Sequence, residues 1–163
     1  MNKEESIGEE VDAVNIKKSS FSVILTYWKN KLWPNRKSKI EPLSHMTYLG
    51  GFDESIYEKY TPSFFIAIEN DKIVGVNSGH RTSATSFRSR GIWVDPNYRN
   101  RGISQKLFTA IKETAIKENC DKIWSIPRKT ALPVYEKFGF NRTSDFFDEG
   151  MEFGPNCYVL MKL

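Results

Sequence analysis

The sequence predicts one α/β domain built on a mixed sheet. Three observations carry this. Residues 64–68 and 73–80 are apolar, strand-like runs on either side of Glu69-Asn70-Asp71-Lys72, the pattern of a hairpin. Residues 103–119 switch to helical spacing: Ile103, Leu107, Ala110, Ile111 and Ala115 share one face, and Lys106, Lys112, Glu113, Lys117 and Glu118 the other. Strand and helix patterns then alternate to the end of a 163-residue chain, a length that suits one domain with a real core.

The elements follow in order. Residues 1–10 are acidic and polar and read as a flexible lead-in, with the domain over 11–163. Val11, Ala13, Val14 and Ile16 suit a first strand. Ser19 or Ser20 caps a helix carrying Phe21, Ile24, Leu25, Trp28 and Leu32, which Pro34 ends. The stretch 35–60 has no clear period. It begins basic (Arg36, Lys37, Lys39), breaks at Gly50-Gly51 and allows a short helix over 54–60. After Thr61-Pro62 come the hairpin strands, a polar loop at 81–87, a strand at 88–94 and the helix 103–119. A strand at 122–126 leads to a helix at 131–138, closed by Gly139 in the position after its last turn. Strands at 141–147 and 157–161 finish the domain, joined by a long glycine-containing loop.

Composition narrows the function classes. The net charge is +4, but residues 1–12 hold Lys3 against five carboxylates, so the rest of the chain carries +8. Such an excess favours anionic ligands or surfaces. No signal-peptide pattern opens the chain and no apolar run is long enough for a bilayer, so a cytoplasmic protein with no membrane partner is expected. Cys120 and Cys157 are too few and too far apart for a disulfide framework and are expected to be reduced. His45 and His80 are far apart and neither has a cysteine at ligand spacing, so no metal site is expected.

The richest segment runs from Val94 to Ser104. A strand enters a basic turn, which passes through one glycine into an amphipathic helix. The first amides of a helix lack internal partners and sit at the positive end of its dipole, so a phosphate bound there accepts several N–H bonds at once. Gly102 either lets the backbone approach a phosphate or adopts positive φ. Arg99 and Arg101 add charge, and Ser104 adds a small hydroxyl. A plain strand–loop–helix junction with solvated arginines has the same appearance, and no dinucleotide or Walker glycine pattern is present.

A second segment, Ala131-Leu132-Pro133-Val134-Tyr135-Glu136-Lys137-Phe138-Gly139-Phe140, lies one strand downstream of that helix. Together the two resemble the GCN5-related N-acetyltransferase (GNAT) family. The family's Arg/Gln-x-x-Gly-x-Gly/Ala signature is matched by Arg99-x-x-Gly102-x-Ser104. Its later signature, an alanine, a tyrosine four residues on and Glu-Lys-x-Gly-Phe, is matched by Ala131, Tyr135 and residues 136–140. Two positions depart: Ser104 stands for glycine or alanine, and Arg128 stands where an asparagine is frequent.

The resemblance implies a mostly antiparallel sheet of six to seven strands, flanked by helices and splayed at the cofactor strand. It implies acetyl-CoA as co-substrate, with its pyrophosphate on Arg99, Asn100, Arg101, Gly102, Ile103 and Ser104. The pantetheine would run along Ile92, Trp93 and Val94, with Arg128 and Tyr135 on the far side. The Val94 backbone N–H would polarise the thioester carbonyl, and Tyr135 would protonate the departing thiolate. Transfer would be direct, to an amine held in the same complex. Read without the resemblance, Tyr135 is a core aromatic with its hydroxyl at the rim.

The acceptor is expected to be a small-molecule or peptide amine. Arg81, Arg88 and Arg90 beside the cradle suit an anionic or nucleotide-linked one. His80 is a candidate base, set against a solvent-facing histidine at a strand end. Glu69 and Asp71 belong to a solvated turn. Asp145, Asp148, Glu149 and Glu152, in or beside the last long loop, would attract a cationic amine or simply be solvated. Lys29, Lys31, Arg36, Lys37 and Lys39, interleaved with Trp28 and Trp33, have the composition of a nucleic-acid patch, or of a basic helix end over core tryptophans. The alternative to an enzyme is a non-catalytic module binding CoA or nucleic acid on the same fold. Monomer and homodimer are both compatible with the sequence.

Overall fold

Asn70 and Asp71 both take positive φ, 49° and 63°, as a two-residue hairpin turn requires. They join β2 (Ser63–Glu69) to β3 (Lys72–Arg81) in a computed structural model that describes residues 13–48 and 54–163. The lead-in 1–10, Val11 and Gly50-Gly51 lie outside the described residues. The other strands are β1 (Asn15–Lys18), β4 (Ser86–Val94), β5 (Lys122–Ser125), β6 (Asn141–Arg142) and β7 (Val159–Lys162). They form one seven-stranded sheet in the order β1-β2-β3-β4-β5-β7-β6. Every neighbouring pair is antiparallel except β4 and β5.

Helix α1 (Phe21–Tyr27) starts at Ser20, whose hydroxyl accepts the Val23 N–H at 3.4 Å. The sequence predicts one helix through Leu32. Instead the last turns, Trp28–Leu32, widen to π geometry, and Trp28 is fully buried. Helix α2 (Ile103–Lys117) makes the crossover from β4 to β5 that a parallel pair needs, and α3 (Leu132–Phe138) follows β5.

Two apolar clusters cover the sheet. Under α2 and α3, Leu107, Phe108 and Ile111 pack with Val74, Phe87 and Ile123. Against α1, Ile24 and Trp28 pack with Ile66, Val76 and Trp93. Each side chain fully removed from water in this way contributes about 2 kcal/mol before entropy is counted.

Two predicted elements come out differently. Residues 54–60 form only a 3-10 segment, Glu54–Glu58. The strand expected over 141–147 pairs with β7 only at Asn141 and Arg142, and Phe147 makes one isolated bridge to Asn156. Its ladder stops because the Ser144 hydroxyl, rather than a backbone carbonyl, accepts the Tyr158 N–H at 2.8 Å.

Two features of β4 create the site. Val76 faces Trp93 and Ser78 faces Arg90, so Gly91 and Ile92 stand together opposite Asn77. This is a bulge, with Gly91 at φ 72°. On its other edge β4 pairs with β5 from Ser86 and Lys122 only as far as Arg88 and Trp124. The Ser125 hydroxyl donates to the Ser89 carbonyl at 2.7 Å. Beyond that bond the two strands part.

Candidate active site

A cavity of about 570 Å³ opens where β4 leaves β5, with Ile92, Trp93 and Val94 along one wall. The Asp95 N–H donates to the Val74 carbonyl at 2.8 Å. Successive residues of a strand turn their amides to opposite edges, so the Val94 N–H and C=O face the parted edge.

At one end of this wall is the loop into α2. Asn100 and Gly102 both adopt left-handed φ, 62° and 75°. Gly102 caps the helix without a side chain, and the first intrahelical bond runs from the Lys106 N–H to the Gly102 carbonyl at 3.1 Å. The amides of Ile103, Ser104 and Gln105 therefore lack intrahelical partners. A Cβ on Gly102 would meet nothing within 4 Å. The glycine thus answers the backbone conformation, and the space before the amides is open. Arg99, Asn100 and Ser104 line the cavity. Arg101 does not. Its guanidinium reaches both Glu69 carboxylate oxygens, at 3.1 and 3.4 Å, and lies over the Tyr98 ring. Ile103 turns its side chain into the core and is 2% exposed.

Tyr135 lines the cavity from α3 while only 4% exposed. Phe108 and Phe140 hold its ring, with centroids at 4.9 and 5.4 Å. It is therefore both a core aromatic and a cavity residue. Burial raises its pKa, against smaller lowering effects of the Ser125 hydroxyl, Arg88 and Arg128, so the phenol keeps its proton at neutral pH. Arg128 spans the cleft: it donates to the Leu32 carbonyl and its guanidinium lies 4.9 Å from the Phe153 ring centre.

The far end is built largely from the stretch that the sequence left without a role. Trp33, Arg36, Ser44 and Met46 line it beside Arg88 and Arg90. Arg90 donates to the Glu41 carbonyl at 2.7 Å and lies over Trp28. Burial lowers Arg88 to about 10 and Arg90 to about 9, and both remain cations at neutral pH. Of the four acidic residues expected near the acceptor, Glu152 is the one that lines the cavity. It accepts the Lys37 and Ser38 N–H groups at 2.9 and 3.0 Å. Those bonds, with a smaller effect of Arg36, hold its carboxyl down at about 2.

His80 is not among the cavity-lining residues. It is fully buried, with Nδ1 2.9 Å from the Tyr57 hydroxyl and Nε2 accepting the Ser44 N–H at 3.5 Å. Burial, reinforced by Arg88 and Arg90, pushes it down to about 3. The solvent-facing alternative does not hold either. Trp28 and Trp33 belong to the core and the cavity rather than to an exposed basic face. Cys120 and Cys157 are buried free thiols, and burial pushes Cys120 up to about 11. Among the described residues, no helix is long and apolar enough to cross a membrane and no three His, Cys, Asp or Glu gather as a metal site.

The model of the acetyltransferase (GNAT) domain matches residues 61–142, half of the chain, from β2 through the cradle and Tyr135 to β6. No curated protein sequence matches significantly. Solved structures share the fold at low identity. A GNAT-family acetyltransferase from Staphylococcus aureus Mu50 is 23% identical, with a TM-score of 0.63 over 92% of this chain and 99% of that one. Ard1 from Thermoplasma volcanium is 16% identical, with a TM-score of 0.64 over 93% and 98%. A GNAT-family acetyltransferase from Elizabethkingia anophelis, solved with acetyl-CoA bound, is 16% identical, with a TM-score of 0.58 over 93% and 99%. The matched domain contains both the loop at Gly102 and Tyr135, which lines the cavity at the parted strands together with Arg99, Asn100 and Ser104, and the chain belongs to the GNAT acetyltransferase family.

Proposed function

We propose that the protein is an acetyl-CoA-dependent N-acyltransferase that passes an acetyl group directly to a primary amine within a ternary complex. The observation that carries this is the parting of β4 from β5, with α2 amides that lack intrahelical partners at one end of the cavity and a buried, protonated Tyr135 lining it.

In this reading the α2 amides, Arg99 and Ser104 receive the pyrophosphate, and the free edge of Ile92–Val94 bonds the pantetheine. Acetyl-CoA supplies the activated acyl group. The Val94 N–H stabilises charge developing on the thioester oxygen. The amine nitrogen forms the new C–N bond, the C–S bond breaks and Tyr135 gives its proton to the thiolate, while the proton shed by the acylated nitrogen passes to solvent and solvent restores the phenol. The amine must first be neutral. A free alkylammonium is so only about once in a thousand at pH 7. Arg36, Arg90 and Arg128 around the cavity lower that pKa by like-charge repulsion. His80 lies outside the cavity, and the low pKa of Glu152 leaves it no capacity as a base, so the proton leaves to solvent.

Thiol release from acetyl-CoA across an amine panel, beside calorimetric CoA binding, tests this. Release with a defined acceptor supports the transferase. Binding without release on any acceptor would favour a non-catalytic CoA module instead.

A further inference from the structure

Arg88 is 7% exposed and lines the cavity, with its guanidinium 5.1 Å from the Trp124 ring centre, yet among the described residues its Nε and Nη1 have no hydrogen-bond partner. Other arginines of the fold are engaged: Arg36 donates through Nε to the Ser38 hydroxyl at 2.9 Å. Arg81 pairs with Glu118 at 3.3 Å, Arg90 donates to the Glu41 carbonyl, Arg101 pairs with Glu69 and Arg128 donates to the Leu32 carbonyl. Among the described residues, the groups that act on Arg88 through their charge are Tyr135, Tyr158, Tyr57 and Arg36, with no carboxylate among them. Removing a guanidinium from water without an acceptor is costly. A fold that keeps one facing a cavity is arranged for an anion that arrives with a ligand.

That anion is not a CoA phosphate. On β4 Arg88 comes before Ile92–Val94 and the α2 amides come after them, so the whole proposed pantetheine wall lies between Arg88 and those amides. Arg88 therefore belongs to the acceptor end, with Arg36, Arg90 and Ser44. Arg88 and Tyr135 act on each other electrostatically, which keeps this anion near the reacting atoms.

Resting on the acyltransferase reading above, we propose that the acceptor is a small amine carrying a compact oxyanion, a carboxylate or a phosphate a few bonds from its nitrogen, and that Arg88 binds that oxyanion. The pocket then both selects the acceptor and orients its amine toward the thioester.

The test is calorimetry on the full chain saturated with CoA, using two matched pairs: β-alanine against β-alaninamide, and phosphoethanolamine against ethanolamine. At least one anionic member is expected to bind roughly tenfold or more tightly than its neutral partner. The pair that discriminates tells carboxylate from phosphate. Arg88→Gln is expected to abolish the preference with CoA affinity retained, and Arg88→Lys to keep a reduced one. Equal affinity within both pairs, no binding of either anionic probe, or a preference that survives Arg88→Gln overturns the proposal. Should Arg88→Gln fail to fold, the wild-type pairs and Arg88→Lys decide, since an unchanged preference in Arg88→Lys also counts against it. Absence of CoA binding in the wild-type protein would instead bring down the acyltransferase reading, and this proposal with it.

Discussion

The indole N–H of Trp28 donates to the Gly91 carbonyl at 2.8 Å, and the same ring stands 2.4 Å from where a Cβ on Gly91 would lie. The first buried turn after α1 is thus locked onto the bulge of β4. Gly91→Ala would force a left-handed alanine against that ring. It is expected to destabilise the protein by about 1–3 kcal/mol and to weaken CoA binding, read by urea unfolding and calorimetry. A variant with wild-type stability would remove this account of Gly91.

Tyr135→Phe keeps the ring packed between Phe108 and Phe140 and removes only the proton donor. CoA affinity is expected to be unchanged and kcat to fall about a hundredfold in steady-state thiol release. Unchanged turnover with a confirmed acceptor would end the acid assignment.

Gly102 separates conformation from ligand. With open space around its Cβ position and φ at 75°, Gly102→Ala is expected to cost stability by about 1 kcal/mol. Gly102→Glu adds a carboxylate at the unpartnered amides and is expected to abolish CoA binding. Calorimetry showing wild-type CoA affinity in Gly102→Glu would refute the cradle.

The buried imidazole of His80 makes stability depend on pH. Its pKa falls from the usual 6.5 to about 3 on folding, so below 6.5 the unfolded chain binds the extra proton. The contribution is fully present above that value and is lost as pH falls toward 3, at about 1.4 kcal/mol per pH unit. Urea unfolding between pH 7 and 4 is expected to show a shallower slope in His80→Gln than in wild type. The acidic limb of turnover is expected to stay where it is in that variant; a shift would restore His80 as a base.

Glu152 ties the loop before β7 to the segment after α1 through the Lys37 and Ser38 amides. Its carboxyl lies below the ordinary range, so the tie is complete above the usual value near 4.5 and loosens as pH falls toward 2. Glu152→Gln is expected to speed hydrogen exchange at those two amides and to raise the acceptor KM with little change in CoA affinity. Unaltered exchange would show that the carboxylate does not hold the segment.

What could be read from the sequence was local. Asn70-Asp71 announces its turn because both residues tolerate positive φ, and the apolar spacing of α2 needs no partner to be seen. The Gly102 loop and Tyr135 stand out as paired motifs at fixed separation, and Arg99, Asn100, Ser104 and Tyr135 do border one cavity. The acceptor end does not stand out, because Trp33, Arg36, Ser44 and Met46 come from a stretch with little regular secondary structure, and its meaning arises only when it folds against β4. Arg101 misleads for a similar reason. Beside Gly102 it reads as a phosphate ligand, but Glu69, 32 residues earlier, takes its guanidinium. Whether a buried arginine has a counterion is a fact about neighbours distant in sequence, which no spacing rule reports.

The extra residue in β4 also changes which side of the sheet the strand addresses. Phe87 packs into the cluster under α2, and strict alternation would send Arg88, Arg90, Ile92 and Val94 together to the opposite side. Instead Ile92 and Val94 pack on the same cluster as Phe87, while Trp93 joins Trp28 on the other face. The bulge is a half-period slip. It lets one strand present charged side chains before the slip and apolar ones after it without burying an arginine in the α2 core. Straightening β4 with Gly91 kept in register would send Ile92 and Val94 to the side of Arg88 and Arg90 and set those two demands against each other.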